Sequence, residues 1–454
     1  MRKAISMLLT VLAVGSLCFA ASCSPVDKGN DTSSDIKADA MNSPYGAYSE
    51  EMLNALKNSG EVTVYWESNT FSDKDADFID YFEKYYGGKF VRRYCPSNDD
   101  MTIFLQDFYS GTAPDVLRLN ESYWPRVAMR STTHSTERLG ELGVVGLDHP
   151  AIRDDSEITQ AAYSYNGRCY AVAMDYIAPT MIAVNEDLFD YCMVSSPISY
   201  FERGDWNVDS FLRCSHEIAR TLPNGKKLFA CNNFDLNWFL FTNQVDPVQF
   251  DKYNMEPALD TPEALRSLVR CRTFLTTVST TDNVDLFKQG ELAMLCATSD
   301  RLSEVLDDCN FGWDIIPFPY DNDNSSGRAV GKMSAWAISS HTKNAQGSFN
   351  FILAYRLFED FYYNLDDSFV WNSKYIIFDD AQQQRITSTA YMVRLGNFPY
   401  ISDLPQQTDE LWNALRGNDP IYDIAASFNE NIKQEYNDEM TDILLQHSKP
   451  SGQR

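Results

Sequence analysis

Beyond residue 58 the chain switches repeatedly between two hydrophobic periods. Glu61-Val62-Thr63-Val64-Tyr65-Trp66 is a β-branched and aromatic run, and the stretch from Asp75 to Tyr86 then places apolar residues at 78, 79, 82 and 85. The first predicts a strand and the second a helix, because strand side chains alternate faces whereas residues three and four apart share a helix face. By the same reasoning Lys89 to Tyr94 predicts a second strand, Asp100 to Tyr109 a second helix and Asp115 to Leu119 a third strand. Gly167 to Val172 predicts a turn feeding a strand, and Thr180 to Val184 a further strand ending at Asn185. Such alternation favours a parallel sheet covered by helices. Ligands of these sheets bind beyond the carboxyl ends of the strands. That singles out Glu67, Ser68 and Asn69 after the first strand, and Asn120 and Glu121 after the third.

The N-terminus follows another rule. Met1-Arg2-Lys3, an apolar run from Ala4 to Val14 and small residues up to Cys23 have the layout of a bacterial export signal over residues 1–22. Ala20-Ala21-Ser22-Cys23 resembles a lipobox, which implies cleavage before Cys23 and a diacylglycerol on its sulfur; a plain secretory signal is the competing reading. Residues 23–58 are rich in Ser, Asp, Asn and Lys, with too little apolar surface to offset the entropy of ordering them. They predict a flexible tether between membrane lipid and folded body. No later run approaches the roughly twenty apolar residues of a transmembrane helix.

Composition narrows the classes. At this length one hydrophobic core usually gives way to two, so two lobes are expected. The formal net charge of −26 opposes nucleic-acid binding and reads mainly as a solvated surface. Of the ten cysteines, Cys18 leaves with the leader and Cys23 would be lipidated; those from Cys95 to Cys309 contain no CxxC pair and are compatible with disulfides or with free thiols. The five histidines, at 134, 149, 216, 341 and 447, lie at no metal-site spacing, so neither metal nor cofactor is expected.

Several short segments carry a family signal by their order. Ser110-Gly111-Thr112-Ala113-Pro114-Asp115-Val116, Asn185-Glu186-Asp187-Leu188-Phe189, Phe287-Lys288-Gln289-Gly290-Glu291-Leu292-Ala293-Met294, Trp313-Asp314-Ile315-Ile316-Pro317-Phe318-Pro319 and Ser339-Ser340-His341-Thr342-Lys343-Asn344 follow one another along the chain. In that order they resemble the motifs of family 1 extracellular solute-binding proteins, the class that includes the maltose-binding type. The resemblance implies an α/β, two-lobed periplasmic-binding-protein-like fold of type II with a ligand cleft between the lobes. It implies lobe 1 over residues 59–175 and 316–360 and lobe 2 over 176–315 and 361–454, the latter ending in a helical region. It also implies a monomer that hands its ligand to the permease of an ABC importer. Ala173, where the family usually has Pro, and Lys332, where it usually has a second Gly, depart from the pattern.

A sugar offers hydroxyl edges and flat C–H faces, so its binder needs aromatic platforms and planar polar groups. Trp66 beside Glu67 and Asn69, and Trp124 just after Asn120 and Glu121, fit that description, as does Trp238 in the polar run that starts at Asn232, while packing in the core is the alternative for Trp66 and Trp124 and likewise for Trp336. For Trp238 the plainer reading is a helix capped by Asp235 with the ring packed inward. Asp175 and Tyr176 fall where the resemblance places a crossing between lobes, and Gly331, Met333 and Trp336 where it places backbone contacts to ligand. Glu67, Glu121 and Asp175 also raise a glycosidase, which needs two carboxylates about its scissile bond. A surface glycan-binding lipoprotein without a transporter is the other alternative. No nucleophile elbow, Walker loop, HExxH or dinucleotide fingerprint occurs.

Overall fold

The structure, a computed structural model, describes residues 54–66, 71–94, 101–120, 124, 126–153, 156–220, 222, 225–251, 254–320, 328–363, 378–393 and 404–448. The expected leader, Cys23, Cys95 and most of the expected tether lie outside them. Residues 54–58, expected as the end of the tether, belong instead to the folded body. Leu56 is buried, and Asn350 Nδ2 donates to Ala55 O at 2.8 Å.

The first five elements fall where the hydrophobic periods put them: β1 (Gly60–Trp66), α1 (Asp73–Tyr86), β2 (Gly88–Tyr94), α2 (Met101–Ser110) and β3 (Val116–Leu119). α1 opens with a capping box between Ser72 and Asp75 and stops at Gly87, whose φ is 56°. A Cβ there would sit 2.2 Å from Lys57 O, so both the conformation and the space call for glycine. β2 and β3 flank β1 in parallel.

The next segment differs from expectation. Only the two-residue strands β4 (Ser164–Tyr165) and β5 (Arg168–Cys169) form, paired through a turn in which Asn166 and Gly167 take positive φ. The chain then enters β6 (Ala173–Asn185), one continuous strand of 13 residues. After it come α3 (Glu186–Cys192), α4 (Val208–Ile218), β7 (Phe229–Asn232), α5 (Asn237–Thr242), β8 (Val248–Asp251), β9 (Asn254–Pro257), α6 (Pro262–Thr277), β10 (Thr280–Thr281), β11 (Leu292–Thr298), α7 (Ser299–Leu306), β12 (Trp313–Pro317) and β13 (Gly331–Ile338). Among the described residues the helices α8 (Ala345–Tyr363), α9 (Asp380–Ala390), α10 (Leu404–Leu415) and α11 (Ile421–Ser448) follow.

The strand order β10-β7-β11-β6-β13-β3-β1-β2, with β12 also on β6, makes β6 the element shared by two halves of a mixed sheet. Its first part runs antiparallel to β13, from Trp336↔Ala173 to Gly331↔Pro179. Its second part runs antiparallel to β11 and to β12, over Thr180 to Asn185. The fold is therefore α/β and two-lobed, and the chain passes from one half to the other inside a strand rather than through a loop. Gly331 is needed at the junction, because a Cβ would meet Ala178 O at 2.5 Å and Pro179 Cα at 2.8 Å.

The motif residues prove to be staples. Asp115 Oδ2 accepts from Thr63 N at 2.9 Å and its Oδ1 from the Thr342 hydroxyl at 2.6 Å, tying β1, β3 and the turn before α8 together. Asn344 Oδ1 accepts from Gly347 N at 3.0 Å at the start of α8, while its Nδ2 donates to Ser59 O at 2.7 Å. Asn185 caps α3 by accepting from Leu188 N at 3.0 Å, which sends Leu188 and Phe189 into the core. The bonds to the Asp115 carboxylate contribute about 1.5–3 kcal/mol each, and the neutral asparagine bonds about 0.5–1.5 kcal/mol each.

Cys169, Cys192, Cys214, Cys231, Cys271, Cys296 and Cys309 are free thiols. Burial pushes Cys214 up to about 12 and Cys169 to about 11, which keeps both protonated and unreactive. Among the described residues no cluster of three His, Cys, Asp or Glu side chains could hold a metal ion, and no helix is long and apolar enough to cross a membrane.

Candidate ligand-binding site

Residues opposite one another on neighbouring strands share a face of the sheet. Trp336 lies opposite Arg118, and Ser334 opposite Tyr176, while Trp66 stands two residues on from the Val64↔Val116 pair and so level with Arg118. One face thus carries Trp66, Arg118, Trp336, Ser334 and Tyr176 in a row towards the junction of the two halves. Between Tyr176↔Ser334 and Met174↔Ala335 the register shifts, leaving Asp175 as the extra residue of a β-bulge. Bulges re-aim side chains. Here Asp175 turns to the same row, where its Oδ2 accepts from Ser334 Oγ at 2.7 Å and lies 3.1 Å from Arg118 Nε.

Arg118 is held on every side. Its guanidinium sits 4.5 Å from the Trp336 ring centroid and 5.2 Å from that of Trp66, and Nη2 donates to Tyr355 Oη at 3.4 Å. Behind it the two indoles stack at 6.4 Å and 26°, with Tyr355 edge-on to both. Burial pushes the Tyr355 phenol well up, partly opposed by Arg118. A cation against indole faces gains from the ring quadrupole once water is excluded. At the other end of the row Tyr176 Oη donates to Asp300 Oδ2 at 2.8 Å, and Lys332 Nζ lies 3.9 Å from the same oxygen. Asp300 belongs to the first turn of α7, on the β7-β11 side of the sheet.

The expected site residues divide into four groups. Asp175, Tyr176 and Asn120 are half-buried at the junction or at the end of β3, and Gly331 is half-buried beside Pro179. Trp66, Trp124, Met333 and Trp336 are interior side chains: Trp336 is 0% exposed and Trp66 4%. Trp124, 3% exposed, packs on Tyr163 and Tyr170. Expected as cleft walls, these indoles have no open face here, because neighbouring rings cover them. Trp238 is half-buried, stacked on Phe234 at 5.4 Å and 12° and edge-on to Phe318. The expected cap at Asp235 is displaced by one residue: Leu236 precedes the helix, and Asp235 Oδ1 accepts from Asn237 N at 2.9 Å. Glu67, Ser68, Asn69 and Glu121 lie outside the described residues.

Arg118, Ser334, Tyr355 and Asp300 escaped the sequence reading. Arg118 left a signal, a charge inside the otherwise apolar strand Val116-Leu117-Arg118-Leu119. Asp300 follows β11 and was within reach of the strand-end rule that selected Asn120. Nothing local marks Tyr355, which arrives from α8.

Residues 77–361, more than half of the chain, match the family described as Bacterial extracellular solute-binding protein. The chain belongs to that family. Three solved structures show how far the fold of this extracellular solute-binding protein extends. An ABC substrate-binding protein from Listeria monocytogenes in complex with cycloalternan is 16% identical, with a TM-score of 0.60 over 83% of this chain and 98% of that one. The cyclic α-maltosyl-1,6-maltose binding protein of Arthrobacter globiformis is 15% identical, with a TM-score of 0.64 over 83% and 99%. The galacto-N-biose and lacto-N-biose I-binding protein of the ABC transporter from Bifidobacterium longum, in complex with lacto-N-biose, is 12% identical, with a TM-score of 0.60 over 83% and 97%. No curated protein sequence matches the chain.

Proposed function

We propose that this protein captures a carbohydrate outside the cytoplasm and delivers it to the permease of an ABC importer, remaining near the membrane through a lipid on Cys23. The observation that carries the reading is the family match over residues 77–361, which spans both halves of the sheet. The sugar-binding neighbours from Listeria, Arthrobacter and Bifidobacterium support carbohydrate as the ligand class. In this reading the ligand enters between the lobes against Asp175, Tyr176, Asn120 and Gly331, with Glu67, Asn69 and Glu121, which follow β1 and β3 in the sequence, contributing further contacts. The buried indoles of Trp66 and Trp336 serve as rigid backing. Trp238 is read as a packing residue of the second half.

Capture follows from differential contact: a ligand that touches both lobes favours the closed arrangement over the open one. Asp175 serves as a hydrogen-bond acceptor for the ligand, its carboxylate oriented by Ser334 and Arg118. The family match supports a binder over a glycosidase. A thermal-shift screen against neutral oligosaccharides, including cycloalternan and lacto-N-biose, tests this, because a ligand that binds only the folded state raises its apparent stability. A rise with at least one sugar is expected; none with any sugar removes the carbohydrate assignment. The anchor has a separate test: Cys23→Ala should release the protein into the medium, and unchanged membrane retention would contradict it.

A further inference from the structure

The bulge in β6 places two consecutive residues, Asp175 and Tyr176, in the hands of opposite halves of the molecule. Asp175 is held by Arg118 of β3 and Ser334 of β13. Tyr176 is held by Asp300 of α7, which reaches it from the β7-β11 half. We infer that Asp300 and Arg118 are the positioning residues of the ligand wall, pinning the junction strand to both lobes at one point. The inference rests on the solute-binding reading for its functional meaning, and on geometry alone for the clamp.

The physical reason lies in the register. A regular antiparallel pair would set Asp175 and Tyr176 on opposite faces, and only one could join the row on the face of Arg118. The extra residue of the bulge brings both into that row. Each then meets an ionised partner, and hydrogen bonds to ionised groups are shorter and roughly twice as strong as neutral ones. The Asp300 carboxylate is itself fixed, since its Oδ1 accepts from Arg301 N at 2.8 Å and Lys332 stands 3.9 Å from its Oδ2. Tyr176 Oη is therefore aimed by a group that belongs to the other half of the sheet. A change in the angle between the halves has to stretch or re-form that bond. Lys332 belongs to this arrangement through its place beside Asp300, on the strand position next to the glycine that β6 requires.

The test uses the full ligand-free protein with 3-fluorotyrosine incorporated at position 176. The clamp predicts one sharp fluorine resonance in the parent protein. Asp300→Asn should move and broaden it, and Asp209→Asn, a substitution at an exposed site on α4, should leave it in place. Small-angle scattering of Asp300→Asn and of Tyr176→Phe should both give a broader distance distribution than the parent, and the double variant should be no broader than either single one. Thermal midpoints measured alongside separate loss of the clamp from loss of the fold. A fluorine spectrum unchanged by Asp300→Asn, or additive broadening in the double variant, overturns the clamp. Clamp behaviour as predicted, in a protein that binds neither maltotetraose nor lacto-N-biose, leaves the inference standing while counting against carbohydrate as the ligand.

Discussion

Two aromatic clusters, one in each half of the sheet, are built on different principles. Around Trp336 the rings of Trp66 and Tyr355 face an arginine, with Phe78 and Phe351 packed behind them, and that charge is met by Asp175, which Ser334 also engages. Around Phe211 the rings of Phe234, Phe239, Phe274 and Phe318 pack on one another and on Trp238 by shape alone. An apolar cluster tolerates a lost contact by repacking. A charge enclosed by rings does not, because every polar group left without its partner retains its desolvation cost. The half that surrounds Arg118 is therefore expected to be the more rigid wall of the site.

The largest expected effect is at Trp336. Trp336→Ala removes a wholly buried indole and should cost about 3–5 kcal/mol in urea unfolding. Arg118→Met keeps much of the volume and removes the charge; with its partner Asp175 only partly screened, it should cost about 2–3 kcal/mol. A variant as stable as the parent would show that the charge is not part of the frame. Trp238→Ala should cost less, about 1–2 kcal/mol, since the ring is half-buried. Equal losses at 336 and 238 would erase the distinction between the clusters.

The smallest effect concerns acid. Burial holds His134 below the ordinary value of 6.5, with Arg138 adding to the shift, and burial lowers His341, which stacks on Phe108 at 3.8 Å. Below pH 6.5 the unfolded chain binds more protons at these sites than the folded one does, so their contribution is present above that value and lost as pH falls towards the folded one. His134 N donates to Ile338 O of β13, and both histidines adjoin the Arg118 half. At pH 5.5 hydrogen-exchange protection, corrected for the intrinsic rate, should fall in β13 before β11. A simultaneous fall in protection would mean that the halves do not differ in this respect.

What was legible in the sequence was local. Two of the ordered motifs hold local caps, Asn185 on α3 and Asn344 at the start of α8, whereas Asp115 joins segments far apart in the chain and was readable only through the order of the motifs. Strand and helix periods located β1 to β3 because they too are local. The wall was not legible in this way, since Arg118, Asp175, Ser334 and Asp300 meet only through pairing of β3, β13 and β6 and the docking of α7. A one-residue bulge decides where Asp175 points, and no spacing along the chain announces it. A tryptophan at a strand end suits a cleft and a core equally well, so local sequence does not decide between them. Trp66 and Trp336 were claimed by the core once α8 brought Tyr355 against them.

Solute capture at the junction strand is tested most directly by calorimetric titration of cyclic and linear gluco-oligosaccharides into the parent protein and into Tyr176→Ala. Saturable binding of at least one sugar by the parent, with affinity markedly weakened in the variant at a matched thermal midpoint, is the predicted result. No heat from any sugar, or the same isotherm from both proteins, would contradict the account.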